Sequence, residues 1–98
     1  MFFISKERLV ALESQVVYIS VQSTKIVFEN LHLSLRDIDY DAKCTITAGS
    51  IGHPSKLEVV QVGDAFTYIL RDENTFEIRV QDVSPVSKKV GLLVSKVA

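Results

Sequence analysis

The sequence predicts an all-β domain, a small antiparallel β-sandwich or partly open barrel, with one short N-terminal helix. Three observations lead there. Among the aliphatic residues, 14 Val and 8 Ile stand against 9 Leu and 5 Ala, and β-branched side chains lose rotamer freedom in helices but pack well on a pleated surface. Phe76, Ile78 and Val80 alternate with Glu77, Arg79 and Gln81, the period-two pattern of a strand with one apolar and one wet face. Finally, 98 residues with 47% apolar content suit a single domain, burying roughly 60–68% of the surface that the unfolded chain would expose.

The elements follow in order. Ser5 is a candidate N-cap for a short helix over Lys6 to Glu13, with Leu9 and Leu12 three apart and Glu7 near the positive end of the helix dipole. Val16 to Val21 forms a first strand, and Lys25 to Glu29 a second after a Ser23-Thr24 turn. Leu31, Leu33 and Leu35 define a third, whose apolar phase slips by one residue between Arg36 and Asp37 because Ile38 and Tyr40 continue the series out of step. A β-bulge restores register there. Lys43 to Ala48 is the next strand, with Cys44 and Ile46 on one face and Thr45 and Thr47 on the other.

Residues Gly49-Ser50-Ile51-Gly52-His53-Pro54-Ser55 are rich in turn formers and are expected to be a mobile loop. From Leu57 onward the sequence predicts a four-stranded antiparallel meander. Gly63-Asp64 separates Leu57 to Val62 from the Phe66, Tyr68, Leu70 strand, and Arg71 to Asn74 reverses the chain into residues 75–83. A long loop, Ser84 to Lys89, then leads to a terminal strand carrying Val90, Leu92 and Val94. Pro85 lies in that loop, where no ladder donor is needed.

Three segments are apolar on both faces: Val16-Val17-Tyr18-Ile19, Val59-Val60 with Val62, and Leu92-Leu93-Val94. One short helix covers only part of such a sheet, and each exposed valine or leucine forgoes about 1.5–3 kcal/mol of burial. Self-association is the expected source of further cover, a closed barrel the alternative.

Composition excludes several classes. With 11 Lys+Arg against 12 Asp+Glu, the chain has a formal charge of -1, which argues against a broad basic surface for nucleic acid. One cysteine makes no internal disulfide. The opening Met1-Phe2-Phe3-Ile4 meets Ser5-Lys6-Glu7-Arg8 too soon for an export signal, and no run approaches the ~20 apolar residues of a membrane-spanning helix. A cytoplasmic protein without membrane attachment is expected.

Few residues suggest chemistry. Asp37, Asp39 and Asp41 alternate and in an extended strand would share a face, but Ala42 and Ala48 stand where a calcium loop needs glycine and glutamate. No metal or cofactor is expected. Cys44 with His32 or His53 is the one possible cysteine–base set; Cys44 reads as a buried thiol and His32 as a wet-face residue. His53 is the more interesting histidine, because a loop containing Ser50 and Ser55 would present it. The same loop lacks the Gly-Lys-Ser/Thr ending of a phosphate-binding loop. Phe28, Phe66, Tyr68 and Phe76 fall on apolar phases and are expected in the core rather than stacking on bases.

The functional expectation is a non-enzymatic binding or interaction module that forms a homo-oligomer and presents loops or a sheet edge to a protein or small molecule. Candidate binding residues are His53, Ser50, Ser55, Lys88 and Lys89. A nucleic-acid-binding barrel using the C-terminal hairpin is the second reading, and a small hydrolase or transferase using His53 or Cys44 the third.

Overall fold

A computed structural model describes residues 11–70 and 75–97. Eight strands run in chain order: β1 (Ala11–Ser20), β2 (Ser23–Val27), β3 (Leu31–Ile38), β4 (Cys44–Ser50), β5 (His53–Val60), β6 (Ala65–Ile69), β7 (Thr75–Ser84) and β8 (Lys89–Val97). They form two four-stranded antiparallel sheets, ordered β1-β8-β7-β6 and β2-β3-β4-β5. Among the described residues there is no helix, and hence none long and apolar enough to cross a membrane. Of the helix expected over Lys6 to Glu13, the first part lies outside the described residues. Its end, from Ala11 to Glu13, belongs to β1 instead, where pairing of β1 with β8 along its whole length outweighs a weak local helical preference.

The two sheets share one core. Leu31, Leu33, Leu35, Cys44, Ile46 and Ala48 from one meet Phe76, Ile78, Val80, Val90, Leu92 and Val94 from the other, all essentially inaccessible to water. Each set alternates along its strands, so the pleat alone sends one residue in two inward. The slip at Arg36 is a bulge as expected: Leu35 pairs with Ile46 and Asp37 with Thr45, leaving Arg36 unopposed. A second bulge lies in β7 between Val80 and Asp82.

Several sequence expectations are corrected. The first turn falls at Val21-Gln22 rather than Ser23-Thr24, and Phe28 and Glu29 leave β2 for a turn in which both have positive φ, 52° and 70°. The C-terminal meander has three strands, β6 to β8, because the Leu57 to Val60 segment pairs with β4 in the other sheet. Residues 49–55 are not a loop: Ser50 pairs with His53 across a two-residue turn whose Gly52 takes φ +81°, a conformation that costs glycine no steric penalty. The β7–β8 connection is shorter than expected, since Ser84 pairs with Lys89. The reversal at 71–74 lies outside the described residues.

The segments apolar on both faces are also resolved. Val17 and Ile19 face inward while Val16 and Tyr18 are exposed, and Val60 is buried while Val59 and Val62 are exposed. Leu93 lies between Val16 and Arg79 and is half-buried by its neighbours. At Gly91 a Cβ would lie 2.9 Å from a ring carbon of Tyr18, so that aromatic ring rests on the bare backbone of β8.

The chain passes between sheets twice, at β1–β2 and at β5–β6. The first corner is stitched by main-chain bonds: the Val21 amide donates to the Lys88 carbonyl (2.9 Å) and the Gln22 amide to the Leu35 carbonyl (2.7 Å). The second is also tied by main-chain bonds, from the Gly63 amide to the Val80 carbonyl (2.9 Å) and from the Val80 amide to the Asp64 carbonyl (2.9 Å), and it frames the candidate site.

Candidate functional site

β5 and β6 lie at the edges of different sheets and no ladder joins them. At the turn between them the Asp64 carboxylate accepts from the Gln61 amide (3.0 Å), and the Asp64 amide donates to the Gln61 carbonyl (3.0 Å). Farther along, side chains bridge the gap. The Tyr68 hydroxyl donates to the Pro54 carbonyl at 2.7 Å, and Lys56 Nζ donates to the Thr67 carbonyl at 2.9 Å. Lys56 also pairs with Glu58 at 3.2 Å and sits 5.9 Å from the centre of the Phe66 ring. A three-donor ammonium group satisfies these contacts at once.

Beside these bridges runs an open groove of about 410 Å³, lined by residues 53–56 of β5 and 67–69 of β6. His53 and Ser55 therefore do border a concave surface, as part of a strand edge rather than as loop residues. Ser55 also covers its neighbour: a Cβ on Gly49 would lie 2.8 Å from the Ser55 hydroxyl. Ser50 sits opposite His53 at the same end of the molecule. Lys88 and Lys89 do not join them. The β7–β8 turn is at the other end, a strand length or roughly 25 Å away, where Lys88 helps to line a separate cleft of about 470 Å³ with Asp37, Tyr40 and Pro85. Sequence reasoning missed Lys56, Thr67 and Ile69 as groove residues and placed Tyr68 wholly in the core. The Tyr68 ring is buried, but its hydroxyl reaches across the seam. No periodicity reports a contact between edges of two different sheets.

The other candidates separate. Asp37, Asp39 and Asp41 do not share a face: Asp39 lies past the end of β3, and its Oδ1 accepts from the Asp41 amide (2.9 Å) and the Lys43 amide (3.0 Å). The carboxylate closes a tight turn in which Ala42 has φ 61°. No cluster of three His, Cys, Asp or Glu residues suited to a metal occurs among the described residues.

Cys44 is buried at the start of β4, and burial, with the nearby Asp39 charge adding to it, pushes its thiol from 9.0 up to about 11. His32 alternates with buried Leu31 and Leu33 and so faces outward, on the opposite side of the sheet. His53 pairs at the far end of β4, about 20 Å away at ~3.3 Å per residue. Neither histidine reaches the thiol.

The four aromatic residues on apolar strand phases are internal, with Phe66, Tyr68 and Phe76 buried and Phe28 stacked on Phe76 at 5.9 Å between ring centres. Arg79 lies 3.8 Å from Glu77, and Lys96, at the opposite end of β8 from Lys88 and Lys89, borders a cleft with Glu13 and Glu29. The basic residues of the last hairpin thus form no continuous positive field among the described residues.

No protein-family model, curated protein or solved structure matches the chain.

Proposed function

We propose that this protein is a non-enzymatic binding module that holds an extended polypeptide segment in the groove between β5 and β6. The observation that carries this reading is the seam itself: two strand edges face each other with side-chain bridges in place of a ladder. A groove walled by four residues of one strand spans roughly 13 Å, the length of about four extended residues. It is open along its side, which suits a passing chain better than an enclosed small molecule.

The recognition is by side chains. Pro54 offers no amide and its carbonyl is taken by Tyr68, so ordinary strand addition at that point is blocked. His53 and Ser55 supply polar contacts beside the Lys56 ammonium, and exposed Ile69 an apolar one. The separation of Cys44 from both histidines supports a binding rather than a hydrolytic role. A lone buried thiol also suits a reducing, cytoplasmic setting.

The test is a displayed library of random peptides selected on the native protein, with the selected peptides then titrated into ¹⁵N-labelled protein. Chemical-shift changes centred on His53, Ser55, Lys56 and Ile69, weakened by Lys56→Ala, are expected. Selection of no binder, or changes centred on the opposite end at Tyr40 and Lys88, contradicts the proposal.

A further inference from the structure

β1 differs from the other strand edges of the molecule. β2 and β6 are only five residues each, and β2 carries exposed Lys25 on its inward phase, opposite Leu33. β5 contains Pro54, and the edges of β5 and β6 are tied to each other through Tyr68 and Lys56. Short, charged or proline-bearing edges resist the addition of a further strand. β1 runs for ten residues without proline, and Glu13 is its one charge.

The hydrogen-bond pattern fixes which main-chain groups this edge offers. The Val80 amide and carbonyl bond to Asp64 and Gly63, on the β6 side of β7. Main-chain groups alternate in direction along a strand. Arg79 and Glu77 therefore turn towards Leu93 and Ser95 of β8, and Leu92 and Val94 of β8 turn towards Val17 and Gln15 of β1. Ser14, Val16 and Tyr18 are left pointing away from the sheet, with no main-chain partner among the described residues.

We propose that this edge pairs with the same edge of a second copy, antiparallel and two-fold about Val16. Only outward-pointing residues bond across such an axis, and an axis at Val16 uses all three of them. Val16 meets its own image and Ser14 meets Tyr18, giving about six main-chain hydrogen bonds. The same register extends a row that the sheet already holds. Val16 lies beside half-buried Leu93 on the outer face, so the two copies align Leu93, Val16, Val16 and Leu93 in one apolar line. Glu13 falls opposite Ile19 and not opposite its own image, so no like charges meet. Like Val17 and Ile19 it stands on the inward phase, the side on which β2 of the other copy bears Lys25. Length, register and charge thus all match a second β1. Main-chain bonds rather than buried area hold a contact of this kind, and the blunted edges elsewhere stop assembly at two.

Sedimentation velocity on the full chain from about 10 μM to about 1 mM, with amide exchange measured at both ends of the range, tests the proposal. The wild type is expected to move from monomer towards dimer mass. The amides of Ser14, Val16 and Tyr18 are expected to exchange about tenfold more slowly at the high end. Val16→Pro deletes an amide that bonds to nothing within its own copy, and Val16→Lys sets two cations together on the axis. Both are expected to stay monomeric with a native ¹⁵N spectrum, while Leu57→Glu, on the outer face of the other sheet, associates as the wild type does. If Val16→Pro fails to fold, Val16→Lys, at a side chain 51% exposed, carries the test. A wild type that remains monomeric at about 1 mM overturns the proposal. So does growth beyond two copies, a dimer that survives Val16→Lys, one abolished by Leu57→Glu, or one in which the three amides gain no protection. None of these outcomes bears on the β5–β6 groove, which peptide titration tests separately.

Discussion

The Tyr68 hydroxyl and the Pro54 carbonyl, carried by different sheets, meet at 2.7 Å across the β5–β6 seam. The phenol body belongs to the core and its tip to the groove, so this one side chain couples the packing of the sandwich to the shape of the site. Removing the hydroxyl in Tyr68→Phe keeps the ring and deletes the bridge. The expected loss is about 0.5–1.5 kcal/mol, a melting-point drop of roughly 2–12 °C for a chain of this size. A variant as stable as the wild type contradicts the bridging role.

Positive φ at an exposed acidic residue gives a second test. Glu29 holds φ 70° in the β2–β3 turn, a conformation that costs a residue with a Cβ roughly 1–2 kcal/mol and glycine almost nothing. Its neighbour Phe28, at φ 52°, is compensated by its stack on Phe76, whereas the Glu29 side chain is exposed. Glu29→Gly is expected to raise stability by about 0.5–1 kcal/mol in chemical denaturation, less than the full conformational cost because glycine also gains freedom in the unfolded chain. A loss of stability would show that the turn has another geometry in solution.

Cys44 makes the stability depend on pH in a defined window. Its thiol ionises at about 11 when folded against 9.0 ordinarily, so the native state holds the proton more tightly than the unfolded chain. The contribution is fully present below pH 9 and is lost as pH rises towards 11, on the order of 2–3 kcal/mol in total. The difference between wild type and Cys44→Ala, followed by denaturant titration from pH 7 to 11, isolates this slope from lysine and tyrosine titration. Equal slopes contradict the burial of the thiol. At neutral pH, native Cys44 is also expected to resist thiol reagents until the chain unfolds.

Asp39 is expected to act as a turn carboxylate and not as a cation ligand. Asp39→Ala removes the acceptor for the Asp41 and Lys43 amides and is expected to cost about 1–2 kcal/mol. Millimolar calcium is expected to leave the melting temperature of the wild type unchanged. A calcium-dependent rise that disappears in Asp39→Ala would reverse this assignment.

The core was the most legible part of the fold. Leu31, Leu33, Leu35, Ile46, Ile78 and Val80 are buried because each stands on the apolar phase of a strand, and the phase slip at Arg36 marks its bulge. What escaped sequence reading depends on contacts distant along the chain. Ala11 to Glu13 has helical character locally, and only its pairing with the end of β8 makes it strand. The turn residues of segment 49–55 suggest a loop, yet Ile51 and Gly52 alone suffice to reverse the chain, which leaves Ser50 and His53 to pair. His53 and Ser55 were recognised as surface candidates, but their neighbours Thr67 and Ile69 come from the other sheet, and Lys88 and Lys89 prove to be a strand length away.

Amide hydrogen exchange by NMR tests the central claim most directly, because an open seam and a closed barrel differ in which strands have bonded edges. The structure predicts slow exchange in the central strands β3, β4, β7 and β8, with rapid exchange for the amides of β5 and β6 that point into the seam between residues 53–56 and 67–69. Uniformly slow exchange across that seam, accompanied by direct β5–β6 backbone contacts, would mean that a main-chain ladder joins the two strands and that the groove does not exist.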